Sequence, residues 1–328
     1  MNKERQEALF LWQRFLHVEI FRKNKELLDL ELFFQETSRE DRLKVELFIK
    51  DFTIKEAIWE RPRANRSAIK PLSLVFLQGR SIYLKEARNL KKAILDWGKT
   101  GVRSSPFDVS GVSDRAEDLY PSLSEREHIA DLFLELISNA LQTEVFLLSE
   151  RGISSLKEYD RFFSELYKDT CILHSTPRKE LTEYAYTQGQ NRFASLFSRN
   201  KSIFILSYKH EGEERGRKDC FIIHGHLSDS FHEMALSLNV SPSSNHPYLI
   251  EKADGNFLRS PDSLCREAAV KLQDLAGACL LPENKKELIS ILAGSRGCSH
   301  LSDLVIEAAR ALKELERAKT GHQEDRRE

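Results

Sequence analysis

Leu43-Lys44-Val45-Glu46-Leu47-Phe48-Ile49 is the stretch from which the fold can be read. Apolar and charged residues alternate along it. That is the pattern of a strand with one face in a core and the other in solvent. Leu28-Asp29-Leu30-Glu31-Leu32-Phe33-Phe34 alternates ahead of it across the polar turn Thr37 to Asp41, and Phe52 to Trp59 follows. With Phe15 to Phe21, these runs predict a four-stranded antiparallel meander. Residues 2–14, mixed charged and apolar, predict a short helix before it.

The same grammar returns after residue 200. Ile203 to Tyr208, Cys220 to Leu227, Met234 to Val240 and Tyr248 to Leu258 predict four more strands. Met234 to Val240 matches Leu43 to Ile49. Trp59-Glu60-Arg61-Pro62 sits where Phe257-Leu258-Arg259-Ser260-Pro261 sits. His128-Ile129-Ala130-Asp131-Leu132 matches His300-Leu301-Ser302-Asp303-Leu304 position by position. The pattern predicts an α+β protein: a tandem repeat of two domains, each a small antiparallel sheet packed with helices. The expected copies are residues 1–178 and 179–318, with a disordered charged tail at 319–328. The 328-residue length has room for both.

Between the strands the helix signals are local. A basic turn spans Arg61 to Ser67, and Pro71 introduces a mostly helical stretch through Trp97. Gly98 to Pro121 reads as a long loop. Ser124-Glu125-Arg126-Glu127 has the spacing of a capping box. The stripe Ile129, Leu132, Phe133, Leu136, Ile137, Ala140 and Leu141 recurs at helical period behind it. Lys179 to Phe197 reads as a helical arm. Ser260-Pro261 reads as a helix start, with serine as N-cap and proline at the first position.

Composition narrows the function classes. The formal net charge is −1, so no global field favours nucleic acid or an anionic membrane. No apolar run approaches the ~18 residues of a membrane span. The N-terminus lacks the apolar core of a signal segment, which makes the cytoplasm the expected compartment. The five cysteines, Cys171, Cys220, Cys265, Cys279 and Cys298, are odd in number and lack CxxC spacing, so free thiols are expected.

The chemistry concentrates in Gly294-Ser295-Arg296-Gly297-Cys298-Ser299-His300. This glycine-punctuated loop delivers a thiol and an imidazole to a helix start, where backbone amides favour an anionic sulfur. One reading is a metal or cluster site of Cys265, Cys298, His300 and one of Asp229 or His232, suited to zinc or an iron–sulfur centre. A second makes Cys298 the nucleophile of a thiol enzyme, with His226 or His232 as base. A third makes Gly294 to Gly297 an anion cradle helped by Arg296. The bland alternative is that both cysteines are small core residues and His300 caps a helix. Arg126 stands where Cys298 stands, so a thiol site belongs to the second copy alone. Without a cofactor, the two copies would instead form a structural or protein-binding pseudo-dimer.

Gly225-His226-Leu227-Ser228-Asp229, Arg259-Ser260-Pro261, Cys265 and Gly297-Cys298-Ser299-His300-Leu301 carry a resemblance. The second half, Ser202 to Leu315, resembles the bacterial family catalogued as domain of unknown function 2889, and residues 15–175 resemble it more faintly. That family implies no activity. More distantly, the layout is similar to U-type iron–sulfur cluster assembly scaffolds. That likeness implies that Cys265 matches the middle scaffold cysteine and Cys298 the last. Asp229 and His232 stand near the place of the first cysteine, where this chain has no thiol.

Overall fold

The structure, a computed structural model, describes residues 9–64, 69–97, 121–155, 167–175, 195–209, 219–243 and 247–324, with isolated positions between 156 and 166. The chain is α+β, with antiparallel strand pairing and six α-helices among the described residues. It divides into two compact units. One comprises Leu16–Asp160 and Thr182–Arg199; the other comprises Met1–Phe15, Arg161–Leu181 and Asn200–Glu328.

In the first unit, the later part of β1 (Leu9–Arg22), β2 (Leu27–Glu36), β3 (Arg39–Phe48), β4 (Thr53–Ala64) and β5 (Ile69–Ser73) follow one another as neighbours; residues 9–15 of β1 belong to the other unit. The alternation read from the sequence is the burial pattern of β3: Leu43, Val45 and Leu47 are buried, while Lys44 and Phe48 face outward. β1 begins at Leu9, so the helix expected over residues 2–14 gives way to strand across its described part. Trp12, Arg14, Leu16, Val18 and Ile20 are buried at every second position, which a helix cannot achieve. Arg61 lies in β4 rather than in a basic turn. Pro71 sits in β5, the last strand of its sheet order, where a missing amide is tolerated.

α2 (Leu123–Leu141) packs on β2 and α1 (Ala87–Leu95) packs on α2; all seven residues of the predicted stripe on α2 are buried. The capping box lies two residues earlier than the spacing suggested. The backbone is already helical at Leu123, so Ser122 accepts from the Glu125 amide and Glu125 reaches back to the Ser122 amide. The expected loop at Gly98–Pro121 and the expected arm at Lys179–Phe197 lie outside the described residues, except at their ends. Ser195 to Phe197 open the next strand.

In the second unit, β6 (Ser195–Lys209) from Asn200 onward, β7 (Asp219–Asp229), β8 (Glu233–Ser241) and β9 (Leu249–Arg259) are successive neighbours. α3 (Ile172–Ser175), α4 (Leu264–Glu267), a 3-10 segment (Ala268–Leu275), α5 (Lys285–Leu292) and α6 (Ser299–Glu324) complete it. α6 continues past residue 319, where composition alone suggested a disordered tail. Ser260 and Pro261 do not start the helix after β9. α4 opens at Leu264 behind Ser263, and Asp262 Oδ1 accepts from the Leu264 amide at 2.9 Å.

One core packs Ile223, Leu227, Met234, Leu236 and Leu238 of the sheet with Leu301, Leu304, Val305, Ala308 and Leu312 of α6. Carboxylates of α6 also capture sheet cations: Glu307 Oε2 is 3.0 Å from Arg14 Nη1, and Asp303 pairs with Lys201. The strand registers of the two units correspond. Leu43 lies opposite Leu32 and Trp59, and Met234 lies opposite Leu227 and Phe257.

Candidate metal centre

The β7–β8 hairpin is closed by Asp229. Its amide donates to the His232 carbonyl at 2.7 Å, and its Oδ1 accepts from the amides of Phe231 and His232 at 2.8 and 2.7 Å. A short polar side chain that bonds the backbone two and three residues on fixes a tight turn. Oδ1 is also 3.2 Å from His232 Nδ1, so the turn sets the imidazole beside the carboxylate. Arg259, at the end of β9, donates to the carbonyls of Asp229, Ser230 and His232. It thus locks the hairpin from the neighbouring strand.

α6 brings the third group. Gly294 takes φ +83°, which glycine adopts without strain. A Cβ at Gly297 would stand 2.1 Å from the Leu292 carbonyl oxygen, so the chain passes there only because the side chain is a hydrogen. The Cys298 amide then bonds the Leu292 carbonyl at 2.7 Å, and α6 starts at Ser299. His300 projects onto His232, with ring centroids 4.1 Å apart. Asp229, His232 and His300 each offer a ligand atom, and these atoms all lie within 4.8 Å of one another.

Of the five residues expected to ligate, these three converge. Cys298 stands next to them, its Sγ 3.9 Å from His300 Nδ1. Cys265, in α4, is buried in the same core as Cys298. Neither thiol belongs to a three-ligand group among the described residues. Two effects oppose each other at Cys298. Burial pushes the thiol up, while the helix-start amides of Leu301 and His300 pull it down; burial wins, and the thiol is pushed up to about 12. An apolar site outweighs the helix-end field. A thiolate nucleophile ready at neutral pH is therefore not what this position makes.

Three backbone amides at the expected anion cradle already have partners. The Gly294 amide bonds the Thr170 carbonyl, the Gly297 amide bonds the Gly294 carbonyl and the Cys298 amide is used as above, while Arg296 points into solvent. His226, on the partly exposed face of β7, lies 3.7 Å from Glu233 of β8 and is not among the three converging ligands. Sequence reasoning gave Cys171 no role. It reaches this region because the Ile172 amide, in α3, donates to the Gly297 carbonyl at 2.8 Å. Arg259 was visible only as part of a motif, since nothing in its spacing announces a clamp on a turn.

No helix among the described residues is long and apolar enough to cross a membrane. No curated protein and no solved structure matches the chain. Residues 218–313, from β7 into α6, match the model of a family described as a protein of unknown function (DUF2889), which bears out the resemblance seen in that part of the sequence.

Proposed function

We propose that the C-terminal half is a metal-binding module in which Asp229, His232 and His300 are the protein ligands of a divalent transition ion, zinc foremost. The observation that carries this is the convergence of three ligand atoms within 4.8 Å, supplied by a hairpin and a helix start far apart in sequence. Two tetrahedral ligands ~2.1 Å from zinc stand roughly 3.4 Å apart, so closure needs only about 1.4 Å of side-chain movement. Two imidazoles and one carboxylate also suit iron(II) with open positions. They do not suit an iron–sulfur cluster, which needs several thiolates. Cys298 is the nearest further donor, and Cys265 lies behind it.

The same reading treats residues 1–178 and 179–318 as two copies of one module, the first lacking the Gly-Cys-x-His element. The matching strand registers support it: a Leu or Met on the third strand faces Trp59 in one copy and Phe257 in the other.

Protein purified without chelator, analysed for metal and titrated with zinc after chelator treatment, tests the proposal. The expected result is one ion per chain, a higher melting temperature with zinc, and loss of both in Asp229→Ala and His300→Ala. Cobalt(II) loading reports on Cys298: a sulfur-to-metal charge-transfer band lost in Cys298→Ser makes it a ligand. A wild-type chain that carries no metal and melts identically with and without zinc would sink the proposal.

A further inference from the structure

β1 and β6 open on matching words. Leu11-Trp12-Gln13-Arg14 in β1 aligns with Leu196-Phe197-Ser198-Arg199 in β6. The alignment runs on without a gap: Trp12, Arg14, Leu16, Val18 and Ile20 are buried along β1, and Phe197, Arg199, Lys201, Ile203 and Ile205 along β6. An aromatic and an arginine two apart on a strand lie on the same face, so each strand turns both toward one core.

The compact units divide at this word in both strands. Residues 9–15 of β1 belong to the unit that holds α6, and residues 195–199 of β6 belong to the unit that holds α2. Each arm is thus housed with the opposite half of the sequence. Trp12 is a member of the core that includes Leu304, Val305 and Ala308 of α6, and Leu11 packs against that core. Arg14 Nη1 lies 3.0 Å from Glu307 Oε2, with the two side chains 8% and 13% exposed. In the other unit Leu196 and Phe197 are buried, the Arg199 guanidinium lies 5.4 Å from the centroid of the Phe197 ring, and Arg199 Nη1 lies 3.8 Å from Glu135 Oε1.

The two receiving carboxylates also match. Glu307 stands seven residues after His300 on α6, and Glu135 stands seven after His128 on α2. A core that loses a tryptophan keeps a cavity, and a buried carboxylate that loses its guanidinium is left without compensation. Each unit therefore makes the same two demands on the segment that fills it: an aromatic for an apolar slot, and an arginine two residues on for an acid.

We infer that each unit carries a docking site for an extended aromatic-x-arginine segment, and that the two copies complete each other by exchanging the leading segments of their first strands. The partner this surface fits is the arm of a sister copy, so the site built around Glu307 takes Leu196–Arg199 as well as Leu11–Arg14. The inference rests on the two-copy reading of the chain and not on the metal.

The test uses the chain lacking residues 1–15, with a synthetic peptide of those residues added back and binding read by calorimetry and thermal melting. The expected result is one peptide per chain and a raised melting temperature. Peptides carrying Trp12→Ala or Arg14→Glu should bind roughly 100-fold or more weakly. A peptide of residues 186–200, which holds the other arm, should displace the first. No binding of the 1–15 peptide overturns the inference and leaves the two-copy reading standing. Binding that the 186–200 peptide cannot displace refutes the two-copy reading, and the exchange with it. If the shortened chain does not fold alone, it is refolded with each peptide in turn, and the same comparisons are read from the recovery of folded chain; recovery with neither arm overturns the inference.

Discussion

Replacing Glu307 by glutamine tests how the helix that carries His300 is held to its sheet. Glu307 lies on α6, two turns after His300, with its side chain 13% exposed. It accepts from Arg14 at 3.0 Å and from Arg310 at 2.5 Å. Burial alone would raise its carboxyl; the charges of Arg310, Arg14 and Lys201 outweigh that and hold it at about 2, against an ordinary value of 4.5. The folded value is the lower one, so the stabilisation is complete above about pH 4.5 and is lost as pH falls towards 2. A depression of about 2.5 units corresponds to about 3 kcal/mol at pH 7, falling to about 1.4 kcal/mol at pH 3. Glutamine keeps the shape and mimics the protonated acid. Urea denaturation of wild type and Glu307→Gln should therefore differ by about 3 kcal/mol at pH 7 and by less than half of that at pH 3. A gap that stays constant between those pH values would refute the reasoning, because it would mean that the carboxylate's charge is not what anchors α6.

Other outcomes follow from single groups. Burial, then the charge of Arg39, holds His128 below its usual range against the pull of Asp41. Stability of the N-terminal unit should therefore be full above about pH 6.5 and should fall as pH drops through the lower folded value, and His128→Gln should flatten that slope in acid denaturation followed by tryptophan fluorescence. Gly297→Ala would put a Cβ 2.1 Å from the Leu292 carbonyl oxygen, so α6 must shift or unfold at its start; zinc uptake should drop together with the melting temperature. Ser122→Ala should cost about 1 kcal/mol through the lost N-cap, and Ser124→Ala much less, which equilibrium unfolding would resolve. A maleimide should label Cys171, which is half-exposed, well before the buried Cys265, Cys279 or Cys298, as read by peptide mass mapping.

The strands were legible because each carries its own evidence. Leu43, Val45 and Leu47 alternate with charge and are buried, and the same holds for Met234, Leu236 and Leu238. Two elements were misread because a local preference lost to packing. Pro71 signals a helix start in isolation but is equally at home at a sheet edge. Residues 9–14 have a helical composition, yet Trp12 belongs to the core of the second unit and Arg14 to its ion pairs. The capping box shows the limit of spacing as evidence: Ser122 and Ser124 each precede a glutamate by three residues, and only the backbone angle of Ser122 decides between them.

The candidate site was half legible for a related reason. Cys298 and His300 announce themselves through the glycines that deliver them, since Gly297 is required by contact with the backbone at Leu292. Asp229 and His232 announce themselves only as a hairpin turn, because the carboxylate that orients the imidazole is the same group that closes the turn. What sequence could not supply was the competition at the sulfur. A helix start argues for a thiolate, and an apolar neighbourhood argues for a thiol; the outcome depends on how deeply Leu301, Leu304 and their neighbours bury it. The imidazoles, which ligate while neutral, are not subject to that penalty. This is why the proposed site takes His232 and His300 as its primary ligands and leaves Cys298 a donor that must first lose a proton, so that any zinc bound through its sulfur should release that proton on binding and bind more tightly as pH rises.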